Sequence, residues 1–78
     1  MARKVNVATQ FGARLRTLRL RAGFTQENLA ESANVSVNFV SLIERGLKSP
    51  TLATMERFAI ALKVPLIELF RFSDTLDD

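Results

Sequence analysis

Residues 25–46 read TQENLAESANVSVNFVSLIERG, and this stretch decides the fold. Leu29, Ala30 and Ala33 recur at the spacing of one helix face, and Val40 and Ile43 continue such a face in a second helix. Thr25 and Ser36 stand just before these runs and are good N-caps. Each cap is framed by an apolar pair at staple positions, Phe24 with Leu29 and Val35 with Val40. The third position of the first helix is Asn28 rather than Glu or Gln, so a full capping box is not expected there. Between the two helices lies Asn34, one of the few non-glycine residues that tolerate a left-handed backbone. Gly46 stops the second helix. Two short helices joined so tightly cross steeply, and Ala30 is small enough to let them approach. The second helix opens on Ser36, Val37, Asn38 and Phe39 and carries no charge before Glu44. An uncharged, half-polar helix tip needs a surface to press against.

Upstream, Phe11, Leu15, Leu18 and Ala22 predict a helix over about 9–22 with one apolar face, ended by Gly23 in a left-handed cap. Leu20 lies off that face. Downstream, Thr51 or Ser49 caps a fourth helix, with Pro50 suited to its start. Its buried face is Leu52, Met55, Phe58, Ala59 and Leu62. Pro65 opens a fifth helix with Leu66, Leu69 and Phe70 inward. Strand alternation is absent beyond a few residues, so the expected class is all-α.

The 78 residues make one small domain, and 47% hydrophobic content supports a folded core. With no Cys and no His, disulfides, thiolate or histidine metal sites and Ser-His or Cys-His catalytic pairs are all excluded. The remaining carboxylates are scattered, so no catalytic set assembles. No enzyme, metal or cofactor is expected. The net charge is +3, with a sequence pI near 10.2. Residues 1–72 hold all 11 basic residues against five acids, Glu27, Glu31, Glu44, Glu56 and Glu68. Arg3, Lys4, Arg14, Arg16, Arg19 and Arg21 all precede the first acid, while Asp74, Asp77 and Asp78 fall in the tail. Such clustering fits either a polyanionic partner or a well-solvated basic surface. No apolar run is long enough to span a bilayer, and no signal peptide is read at the start. A cytoplasmic protein without membrane contact is expected.

The stretch from Phe11 to Phe70 resembles the Xre/Cro-type helix-turn-helix domains, which include phage repressors. The resemblance rests on LR..R.RAGFTQENLA, then VS..FVS.IERG, then SPTLATMERFAIAL, three elements in the family's order. Asn34 departs from the common glycine but can adopt the same geometry. The resemblance implies a compact five-helix, phage-repressor-like domain over residues 9–72, with a basic arm at 1–8 and an acidic tail at 73–78. It implies a transcriptional regulator that binds an operator in duplex DNA as a homodimer, with recognition helix 36–45 in the major groove. A chain that stops soon after the fifth helix is also similar to the controller proteins of restriction–modification systems, and no small-molecule effector is expected. An antitoxin-like module that binds a partner protein as well as DNA is the alternative.

By the same resemblance, Ser36, Val37, Asn38 and Leu42 read bases, with Phe39 as a further contact. Ser36 is equally a plain N-cap, and Phe39 equally a core residue. Thr25, Gln26, Arg45, Lys48 and Thr51 fall to phosphates, Gln26 as the glutamine clamp, and Arg3 and Lys4 form a basic arm. Arg19 and Glu44 face each other as a structural ion pair. Ile60 and Ile67 are apolar where the family carries charged or polar residues, and Phe72 has no evident place in the core. These three are the expected dimer contacts.

Overall fold

Asn6 accepts a hydrogen bond from the Thr9 amide through its side chain (2.8 Å) and so starts the first helix, α1, Val7–Arg21. The structure, a computed structural model, describes residues 6–72. The expectations for Arg3, Lys4 and the acidic tail lie outside them. The helix begins two residues ahead of the expected start at Thr9. It is followed by α2 (Gln26–Ala33), α3 (Val37–Glu44), α4 (Leu52–Leu62) and a short 3-10 helix, Leu66–Phe70. Every regular element among the described residues is helical, as the all-α class requires. The fifth element, however, is a 3-10 turn rather than an α-helix. Five residues after a proline are too few for an α ladder. The Glu68 carbonyl is also claimed from outside, by Arg14 Nε at 2.8 Å.

The connections between the helices are set by local chemistry. Thr25, Ser36 and Thr51 each accept from the amide three residues on. The second helix does carry a capping box, because Asn28 Oδ1 accepts from the Thr25 amide at 3.0 Å. An asparagine side chain reaches back as well as the Glu or Gln usually found there. Asn34 lies at φ 60°, Gly23 at φ 76° and Gly46 at φ 77°, all left-handed as expected. Lys63 was not expected among them, yet it closes α4 at φ 59°.

The helices pack as α1 on α3, α2 on α3 and α4, and the 3-10 helix across α1 and α4. Their shared core comprises Phe11, Leu15, Leu18, Leu29, Ala30, Ala33, Val40, Ile43, Phe58, Ala59, Leu62 and Leu69. Three residues assigned inward are exposed instead. Leu52 is 72% exposed, because the inward register of α4 runs through Thr54, Phe58 and Leu62, with the buried Pro50 one turn ahead. Leu52 is two residues from both Pro50 and Thr54, on the opposite side. Ala22 is exposed at the end of α1, where Phe24 folds back onto the core instead, its amide donating to the Arg19 carbonyl at 3.0 Å. Leu66 stays exposed at the start of the 3-10 helix, whose inward places go to Leu69 and Phe70.

Phe72 is not spare. It is half-buried on the core, its ring 6.1 Å from Phe70, which in turn lies 5.6 Å from Phe11. Arg14, counted above with the basic cluster, is buried. Its Nη2 meets Glu68 Oε1 at 2.9 Å, so its charge serves the fold.

Candidate nucleic-acid interface

The turn between α2 and α3 is closed by its own backbone. The Asn34 amide donates to Glu31 O (3.2 Å) and the Val35 amide to Ala30 O (3.0 Å). Left-handed Asn34 sends the chain out of α2, and Ser36 restarts it by accepting from the Phe39 amide at 3.0 Å. From there α3 buries Val40 and Ile43 and half-buries Phe39 and Leu42. Ser36, Val37 and Asn38 are exposed. The uncharged tip therefore presents a hydroxyl, a branched apolar group and an amide side by side. Phe39 packs partly against the core and offers only its remaining surface.

The C-terminal end of α3 is held from two directions. Gly12 of α1 is buried against it. A Cβ at Gly12 would collide with the Ile43 carbonyl oxygen and come within 2.9 Å of that of Glu44. Backbone approaches backbone here, and only glycine permits it. Glu44 then reaches back to Arg19. Its Oε2 accepts from Arg19 Nε at 2.7 Å and its Oε1 from Nη2 at 3.0 Å. Arg19 Nη1 donates to the Phe24 carbonyl at 2.8 Å. The two side chains are 7% and 2% exposed. A bidentate pair so deeply enclosed is costly to break, about 3–5 kcal/mol if one partner is removed.

Gln26, the first residue of α2, joins this cluster through Nε2, which donates to Glu44 Oε1 at 3.0 Å. Arg45 and Lys48 are exposed beyond α3, with Arg45 Nε on the Ser41 carbonyl at 3.4 Å. Thr25 and Thr51 hold less free chemistry than a phosphate role suggests. The Thr25 hydroxyl caps α2, and that of Thr51 caps α4 and meets the Thr54 hydroxyl at 3.0 Å. Ile60 and Ile67, 68% and 65% exposed, lie on the neighbouring α4 and 3-10 helix, away from the apolar core.

Gly12, Arg14 and Arg57 were not singled out from sequence. The signal for Gly12 was available, since glycine inside a helix is disfavoured and needs a reason. Arg57 Nε ties off α2 from α4 by donating to the Ala33 carbonyl at 2.9 Å, a link 24 residues long that no local pattern announces. Among the described residues no cluster of potential metal ligands occurs, and no helix is long and apolar enough to cross a membrane.

A family model described as a helix-turn-helix domain matches residues 10–72. The chain is 35% identical over 65 residues to the cryptic phage CTXphi transcriptional repressor RstR of Vibrio cholerae, across 83% of this chain but 59% of that protein. It is 36% identical over 59 residues to the uncharacterized HTH-type transcriptional regulator YazB of Bacillus subtilis, across 76% of this chain and 86% of the other. The crystal structure of the restriction-modification controller protein C.AhdI from Aeromonas hydrophila superposes with a TM-score of 0.79 at 36% identity, covering 81% of this chain and 96% of that one. Matched in sequence and in fold along most of its length, the chain belongs to the helix-turn-helix domain family, among the regulators of the Xre/Cro type.

Proposed function

We infer that this protein is a sequence-specific DNA-binding transcriptional regulator that engages a palindromic or pseudopalindromic operator as a homodimer. The observation that carries the reading is the tip of α3: Ser36, Val37 and Asn38 are exposed and uncharged on a helix whose far end is locked to α1 and α2. A major groove about 12 Å wide admits one helix, and its N-terminal residues meet base edges. Asn38 both donates and accepts, which suits adenine N6 and N7. Val37 suits a thymine methyl, and Leu42, one turn on, suits another. Ser36 adds its hydroxyl, and Phe39 the part of its ring left outside the core. Gln26, Arg45 and Lys48 hold phosphates on either side of the helix, with Thr25 and Thr51 contributing from capped positions. Ile60 and Ile67 form the dimer face, and half-buried Phe72 lends only its exposed part. The likeness to C.AhdI over 96% of that chain supports the narrower reading of a controller-type regulator.

Selection of bound duplexes from a random pool, followed by footprinting, tests this reading. Two-fold symmetric sites with half-sites about 34–36 Å apart are expected. Enrichment of a lone asymmetric half-site would remove the dimer, and no enrichment at all would remove sequence-specific binding.

A further inference from the structure

Glu44 holds more than an ion pair. Its Oε1 accepts two hydrogen bonds, from Arg19 Nη2 and from Gln26 Nε2, both at 3.0 Å. A glutamine amide has a donor end and an acceptor end of nearly equal shape, and in solution either can face a given neighbour. An ionised carboxylate only accepts. Beside Glu44, the amide of Gln26 therefore has one allowed orientation, nitrogen inward. That nitrogen carries two hydrogens, and Glu44 takes one of them.

We propose that Glu44 is a positioning residue for DNA binding: it pins one N–H of the Gln26 side chain so that the other is presented, already oriented, to a phosphate oxygen. The proposal rests on the DNA-binding reading above and adds the reason Gln26 can act as a clamp. An unpinned amide would rotate, and half its orientations would turn a carbonyl oxygen toward the phosphate. A carboxylate so near a phosphate would ordinarily repel it. Here Arg19 grips Glu44 through Nε and Nη2, and its Nη1 holds the Phe24 carbonyl just before the α2 cap. Arg19 thus neutralises the carboxylate through both oxygens, and Oε1 accepts from Gln26 as well. Gln26 itself opens α2, an eight-residue helix whose first amides favour an anion.

The test has two arms. In the DNA-free protein, the Gln26 side-chain amide is followed by NMR, and a single orientation about Cγ–Cδ, with one proton protected from exchange, is expected. The comparison is Arg19→Met combined with Glu44→Leu, which replaces the pair by apolar groups of similar size, a change buried ion pairs commonly tolerate. In that variant the amide should turn freely about Cγ–Cδ, and neither proton should be protected. In the second arm, Gln26→Ala is measured for affinity on specific and random duplexes in both backgrounds. It should cost about tenfold on each DNA when Glu44 and Arg19 are present, and less than twofold in the Met/Leu variant. A merely structural ion pair would leave the cost of Gln26→Ala the same in both, and that result overturns the proposal. So does a freely rotating Gln26 amide in a wild-type protein that binds DNA. A fixed amide in a protein that binds no duplex would instead overturn the DNA-binding reading and the clamp together.

Discussion

Replacing Gly12 by alanine adds one methyl group where α1 lies against the end of α3. On an isolated helix the change would help, by about 0.5–1 kcal/mol, because alanine loses less backbone freedom. Here the new Cβ overlaps the Ile43 carbonyl oxygen and comes within 2.9 and 3.0 Å of the Glu44 carbonyl oxygen and carbon. All three are backbone atoms, so no side chain can swing aside. The helices must separate, and overpacking of this kind costs about 1–3 kcal/mol. With no flexible neighbour the upper part of that range applies, and the net loss after the helix gain is roughly 2 kcal/mol. In a domain of this size that lowers the melting temperature by roughly 8–16 °C. Thermal melts followed by far-UV circular dichroism read it directly. A melting temperature unchanged or raised would show that α1 and α3 have room to part, and the account of their contact would fail. Separation also stretches the Arg19–Glu44 pair, so affinity for specific DNA should fall even at temperatures where the variant is folded.

Asn38→Ala should cost about 1–3 kcal/mol on the selected site and much less on random duplex; equal losses in a paired titration would remove Asn38 from the base-reading set. Ile67→Asp with Ile60→Asp should give a folded monomer that has lost operator affinity although α3 is untouched, and sedimentation equilibrium showing an unchanged dimer would place the interface elsewhere. Lys63→Gly should leave stability unchanged or raise it by up to about 1 kcal/mol, because Lys63 closes α4 at φ 59°; a lower urea midpoint would mean its side chain contributes packing that outweighs the backbone strain.

Features set within a few residues were legible before any coordinates. Thr25, Ser36 and Thr51 cap because a short oxygen-bearing side chain meets a free amide three residues on. Asn34, Gly23 and Gly46 turn left-handed because few residues or only glycine do so cheaply. The mid-helix stripes, Leu15 and Leu18 or Phe58 and Leu62, followed from spacing alone. Helix ends did not: Ala22 and Leu66 keep the periodicity but have run past the neighbours that would cover them, and Leu52 starts α4 on the side opposite its inward register. Long-range polar contacts were harder still. Arg14 to Glu68 spans 54 residues and Gln26 to Glu44 spans 18, and composition treats every arginine as surface charge. The exposed tip of α3 was visible as an uncharged helix start, whereas the cluster that holds the other end of that helix in place was visible only as the Arg19–Glu44 pair.

The seam between the first helix and the 3-10 segment has a consequence for how the protein is made. Phe11 stacks toward Phe70, and Arg14 finds both its carbonyl and its carboxylate at Glu68. A nascent chain that has emerged only as far as α4 already contains the whole helix-turn-helix, yet Arg14 lacks the Glu68 groups that let it be buried, and one aromatic wall is missing. Burying that charge without its partner is costly, and closing a loop of more than fifty residues must precede the reward. Helix α3, packed on α1, should therefore gain its final rigidity only after the 3-10 segment has left the ribosome, so that the domain sets as a unit rather than helix by helix.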